Sequence, residues 1–112
     1  MKRARLADLG QADLLRRRVD HWAIRLRVMP RYVRVSRMTR KWGSCSDRGI
    51  LSLATSLNEE PRTFQDFVIV HELLHLRIRN HGRLFKAILT LHIPNWRRLE
   101  RKAREPLQQA KK

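Results

Sequence analysis

The sequence predicts one α+β domain in which a small mixed or antiparallel sheet packs beside a central helix. Three observations lead there. Apolar residues recur at helical spacing between residues 11 and 28, and apolar and basic residues alternate from Tyr32 to Met38 as in a strand. The third is the apolar run Phe67-Val68-Ile69-Val70, which lies inside a longer helical pattern. At 112 residues the chain has the length of one small domain, able to fold alone with little margin.

Each element follows from its residues. Residues 1–10 are basic, lack an apolar targeting core, and are expected to be a flexible N-terminus; the domain is expected over 11–105. Leu14, Leu15, Val19, Trp22, Ala23 and Leu26 form the apolar stripe of the first helix, which Pro30 should end. Trp42-Gly43-Ser44-Cys45-Ser46 is small and turn-rich, and Asp47-Arg48-Gly49 reads as a turn. Ile50–Ala54 is a second strand, so residues 38–54 should form a hairpin-like pair. A long helix is expected from Asn58–Pro61 to about Arg79, with Pro61 at its first position and Thr63 and Asp66 as a capping box. It should carry Phe64, Phe67, Val68, Val70, Leu74 and Ile78. Asn80-His81-Gly82 interrupts the pattern, a shorter helix covers Leu84–Leu91, and Pro94 opens a last helix to about Arg104. Residues 106–112 read as a polar tail.

The net charge is +16, with Arg well in excess of Lys. Such a field attracts polyanions, so nucleic acid is a candidate partner, as are nucleotides and acidic peptides. Scattered arginines that only solvate helix faces would look the same by composition. The single cysteine, Cys45, allows no internal disulfide and gives no sign of an oxidising compartment. The longest apolar stretch is far too short to span a bilayer. A cytoplasmic protein without a membrane partner is the expectation.

The segment that carries chemistry is His71-Glu72-Leu73-Leu74-His75. Histidines four residues apart on a helix lie about 40° apart on one face with Cβ atoms roughly 5–6 Å apart, so both rings can reach one ion. Glu72 is turned about 100° away, which suits a general base on a metal-activated water rather than a ligand. Catalytic zinc needs a third protein ligand and one open position. His81, Glu100 and His92 are the candidates. On an unbroken helix His81 would sit roughly 240° round from His75 and about 9 Å along the axis. The helix must therefore break before it, with Asn80 as a left-handed terminal residue and Gly82 adding freedom. Glu100 lies among Arg97, Arg98 and Arg101 and reads more simply as a helix-face salt bridge; His92 reads as a half-buried helix residue or a substrate contact. Hydrolysis of peptide bonds fits this pattern best. Metal-dependent hydrolysis of nucleotides is a rival, weakened by the lack of a Gly-rich phosphate loop. A non-enzymatic basic nucleic-acid-binding module with a structural zinc is another, although structural zinc normally takes four protein ligands.

Four segments together resemble a known family. They are Lys41-Trp42-Gly43-Ser44-Cys45-Ser46, then Val68-Ile69-Val70-His71-Glu72-Leu73-Leu74-His75-Leu76, then Asn80-His81 with Phe85 four residues on, then Pro94-Asn95-Trp96. In these the chain is similar to the YgjP-like metallopeptidases, bacterial zincins related to the SprT and WLM proteases, over about residues 12–104. The resemblance implies a zincin-like minimal metalloprotease fold, Zn2+ held by His71, His75 and His81, Glu72 as catalytic carboxylate, and a peptide or protein substrate. By analogy with SprT and WLM proteins, nucleic-acid binding could accompany proteolysis. Lys41 departs from the family's usual Arg, and the chain is shorter than typical members, so a minimal version of the domain is expected. The spacing from His75 to His81 equals that of metzincins, but Ile78 stands where they have glycine and no methionine follows, so an ordinary metzincin is excluded.

Further expectations attach to neighbouring residues. Ile50–Ala54, or Lys41–Cys45 with it, is the candidate edge strand for pairing with an extended peptide. Trp42 should pack the strand on the active-site helix, and Phe85 should lie beneath the His81 turn. Cys45 is either a fourth ligand, a redox-sensitive thiol or, more simply, a packed inert one. Backbone carbonyls are the expected partners of the ligands' second ring nitrogens. Tyr32, His92 or an Arg could stabilise an oxyanion.

Overall fold

The computed structural model describes residues 10–106. The expected flexible N-terminus and polar tail therefore fall almost wholly outside the described residues. Helix α1 (Gln11–Leu26) leads into strand β1 (Tyr32–Ser36), then β2 (Gly43–Cys45) and β3 (Ile50–Ala54). A 3-10 turn at Thr55–Glu59 precedes helices α2 (Arg62–Leu74), α3 (Arg83–His92) and α4 (Trp96–Ala103). The architecture is α+β, as the periodicity predicts.

Helix α1 buries Leu15, Val19, Trp22 and Ala23. It ends before Pro30, because Arg27 takes a left-handed conformation (φ 57°, ψ 47°) and Val28 N–H returns to Ala23 O. The sheet order is β1-β3-β2, with β1 parallel and β2 antiparallel to β3. The chain thus visits the far edge before entering the middle of the sheet. Ile50–Ala54 is the central strand and not an edge, which corrects the sequence reading; Gly43–Cys45 is one edge and β1 the other. Leu51, Leu53 and Ala54 are fully buried. The pairing of 38–54 holds as β2 on β3.

Helix α2 is the core of the molecule, with Phe64, Phe67, Val68, Ile69, Val70, Leu73 and Leu74 all buried. Its start differs from the expectation. Asn58–Glu60 belong to the 3-10 turn and its cap, and Pro61 is the N-cap, with no side-chain cap bond. Asp66 is no capping residue. It is 8% exposed and accepts hydrogen bonds from Arg18 Nε (2.7 Å), Arg18 Nη2 (3.0 Å) and Trp22 Nε1 (2.9 Å). A buried carboxylate needs such partners, and these three bonds bolt α1 to α2. Helices α3 and α4 close the other side through buried Phe85, Leu89, Trp96 and Leu99. Among the described residues no helix is long and apolar enough to cross a membrane.

Candidate metal centre

The site is built where α2 stops. Arg62–Leu74 is helical, and from His75 the winding tightens: His75, Leu76 and Arg77 N–H donate to the carbonyls three residues back. The helix is one turn shorter than its apolar pattern suggests. Asn80 does not take a left-handed conformation, since Arg27 is the sole non-glycine residue with positive φ among the described residues. Instead Asn80 Oδ1 accepts from Gly82 N–H at 3.0 Å, and a Cβ at Gly82 would lie 2.9 Å from that oxygen. Glycine serves here by close approach rather than by unusual dihedrals. Arg79 fastens the turn, donating to His75 O (2.9 Å) and to Cys45 O on β2 (3.3 Å).

The break returns His81 to the other two histidines. One ring nitrogen each from His71, His75 and His81 lies within 4.8 Å of the others, and His75 Nε2 and His81 Nε2 are 2.9 Å apart. Two nitrogens about 2.0–2.1 Å from one tetrahedral ion are roughly 3.3 Å apart, so the cluster needs little adjustment to accept a metal. Two of the three rings have their Nδ1 engaged, as metal ligation favours. His75 Nδ1 donates to Ile78 O at 3.0 Å, which leaves Nε2 free to coordinate, and His71 Nδ1 lies 2.9 Å from Glu72 Oε2. One partner is the expected backbone carbonyl; the other is the carboxylate within the motif. Burial lowers the His75 pKa, with the Ile78 carbonyl opposing it. Burial and the neighbouring His71 and His75 lower that of His81. Both rings are thereby kept neutral, the form that binds metal. Phe85 packs against all three, with centroids 5.4, 4.9 and 4.7 Å from His71, His75 and His81.

Of the other third-ligand candidates, His92 lies against Trp22 at 5.8 Å and lines a different groove. Glu100 lines the cleft beside His71 and His81 but is not part of the nitrogen cluster, and it pairs with Arg104 at 3.6 Å. Glu72 is buried to a similar degree as His71 and lines the same cleft. Trp42 stacks edge-on against Phe64 at 5.2 Å, as expected of a strand-to-helix packing residue. Cys45 stays out of the cluster. Its Sγ is 3.7 Å from Ser46 O, and burial followed by the Glu72 charge pushes its thiol pKa up, so it rests as a thiol. Tyr32 lies in a groove between α1 and β1 that shares no residue with the cleft. Sequence reasoning missed Arg79, whose role depends on a strand 34 residues away, and the arginines of α4 that face the cleft.

A short helix that ends in a three-histidine cluster able to hold a metal, flanked by a carboxylate and an edge strand, is an arrangement of the metallopeptidase-like class. The family model for the YgjP-like metallopeptidase domain matches residues 4–105, and the chain belongs to that family. Among solved structures it is similar to the metallopeptidase zymogen jannalysin of Methanocaldococcus jannaschii. The TM-score is 0.69 at 24% identity, over 79% of this chain and 91% of that one. No curated protein matches the sequence.

Proposed function

We propose that this metallopeptidase domain is zinc-dependent, with His71, His75 and His81 as ligands and Glu72 as general base. The carrying observation is the gathering of three imidazole nitrogens within 4.8 Å, with His71 and His81 lining one cleft together with the Glu72 carboxylate. Three imidazoles and no thiolate suit zinc in an open, catalytic arrangement. When bound, the ion supplies an acidified water and a polarised carbonyl. The protein's own groups do the rest. The Ile78 carbonyl fixes the His75 ring and its tautomer. Glu72 accepts the proton of the attacking water and passes it to the leaving amine, which requires it to exchange its contact with His71 Nδ1 for one in the cleft. Strand β2 is an edge of the sheet to which an extended peptide can add, with Cys45 O already accepting from Arg79.

The test is metal analysis and peptide cleavage on the full chain. The expected result is one zinc per chain and cleavage of unfolded protein substrates that is abolished by chelation. Glu72→Gln should retain zinc and lose on the order of 10²–10⁴ in kcat, the usual worth of a positioned base. His81→Ala should lose zinc. Full activity in Glu72→Gln, or unchanged zinc in His81→Ala, refutes the assignment.

A further inference from the structure

Two cavities share His71, His81, Glu100 and Arg104, so they form one cleft with His71 and His81 at its middle. The cleft is lined with cations. Lys86 of α3, Arg97 and Arg101 of α4 and Arg104 at the C-cap of α4 stand on one side, and Lys41, ahead of β2, stands on the other. The lining acids are Glu72 and Glu100, and Glu100 already pairs with Arg104. Among the described residues neither Lys86 nor Arg101 has a carboxylate within ion-pair distance.

The arrangement is a sorted one. Helix α4 buries Trp96 and Leu99, and its arginines at positions 97, 101 and 104 follow the helical period along the face turned to the cleft. Lys102 points elsewhere, to Glu60 at 2.8 Å. Arg97 is held over the Trp96 ring at 4.4 Å, which limits its freedom. A peptide reaching the cluster passes this stripe. A carboxylate side chain near the scissile bond meets a guanidinium fork; a lysine or arginine side chain meets like charge.

We infer that the cleft selects peptide segments carrying Asp or Glu beside the cleaved bond, with Arg97 and Arg101 as the specificity-determining residues. The inference rests on the peptidase reading above. Exposed ion pairs are each worth roughly two- to fivefold in affinity, so the two arginines should give a preference on the order of tenfold.

The experiment uses three fluorogenic peptides that differ only in Glu, Gln or Lys next to the cleaved bond, with the zinc-loaded full chain. The expected kcat/KM order is Glu, then Gln, then Lys, with the difference mainly in KM and shrinking in 1 M salt. Arg97→Gln/Arg101→Gln should flatten the order, and Arg97→Glu/Arg101→Glu should invert it. Arg17→Glu/Arg34→Glu makes the same change in net charge on residues that line no part of the cleft, and should keep the preference. Equal kcat/KM for the three peptides overturns the inference, as does loss of preference in the remote variant. If wild type cleaves none of them, the peptidase reading has failed. Binding then decides the inference separately, by fluorescence anisotropy of the labelled peptides on zinc-loaded Glu72→Gln. Preferential binding of the Glu peptide, lost in the α4 variants, sustains it. Absence of that preference, or binding and hydrolysis of a nucleoside triphosphate in its place, overturns it.

Discussion

Replacing Asp66 by alanine should unfold this domain at markedly lower temperature while touching no residue of the cleft. The carboxylate is buried and receives three hydrogen bonds, two from Arg18 and one from Trp22. Its bond to Arg18 raises the arginine pKa further above its ordinary value, against the effect of burial. Removing it leaves the Trp22 N–H buried without an acceptor, which costs about 1–3 kcal/mol. It also leaves the Arg18 guanidinium unpaired. Breaking a fully buried pair costs about 3–5 kcal/mol. The Arg18 side chain is 24% exposed and can partly rehydrate, so the lower end applies. Since these penalties overlap, a total of about 3–4 kcal/mol is expected, a large share of the roughly 5–15 kcal/mol that holds a small domain. The corresponding fall in Tm is roughly 15–25 °C. Asp66→Asn retains an acceptor for Trp22 and should lose about half as much. Urea unfolding of the metal-free protein, followed by far-UV circular dichroism, measures both. In a double-mutant cycle with Arg18→Ala, the coupling should exceed about 1 kcal/mol. If Asp66→Ala stays within about 1 kcal/mol of wild type, the reading of this triad as the tie between α1 and α2 is wrong.

Two other outcomes follow. Burial lowers the pKa of His75 and His81 below the ordinary 6.5, so below that pH the unfolded chain binds more protons than the folded one. Stability of the metal-free protein should therefore be full above pH 6.5 and decline as pH falls beneath it, with metal affinity declining in parallel; a urea midpoint unchanged between pH 7.5 and 5.5 would contradict this. A Cβ at Gly43 would lie 3.1 Å from Ser52 O, 3.2 Å from Leu53 Cδ2 and 3.2 Å from Val68 Cγ1. Gly43→Ala should thus cost about 1–2 kcal/mol and lift β2 from α2, raising the KM for peptides while zinc content holds; wild-type stability would show that the contact is slack.

The local parts of this molecule were legible in the sequence and the long-range parts were not. The fold class, the approximate positions of the four α-helices among the described residues and the β2–β3 pairing follow from period and turn residues. What failed were readings in which a short-range rule competed with a distant partner. Thr63 and Asp66 have capping-box spacing, yet Asp66 is claimed by Arg18 and Trp22, more than forty residues earlier. Ile50–Ala54 resembles an edge strand until β1 pairs with it in parallel, and no local pattern reports a parallel crossover. The arginines of α4 look like an undifferentiated charged face in the sequence. Only the packing of Trp96 and Leu99 decides which of them face the cleft.

The helix break before His81 shows how a residue that should forbid a turn can be part of one. Ile78 occupies the position where a related motif spends a glycine, and a left-handed isoleucine would be costly. The chain avoids that cost, because residues 75–78 keep negative φ: His75, Leu76 and Arg77 N–H bond three residues back, and Ile78 N–H still reaches Leu74 O at 2.9 Å. The carbonyl of Ile78, freed from the helix, then accepts the Nδ1 proton of His75. One hydrogen bond thus satisfies an orphaned helix-end carbonyl and sets the tautomer that turns Nε2 toward His71 and His81. Asn80 and Gly82 complete the reversal with a side-chain turn, and Phe85, four residues past His81, lies against all three rings from the start of α3. Termination of the helix and assembly of the three-histidine cluster are therefore one structural event. A glycine at position 78 would leave that carbonyl bond available but loosen the chain that delivers His81, so the isoleucine makes the three-histidine cluster more rigid than the motif's usual glycine would.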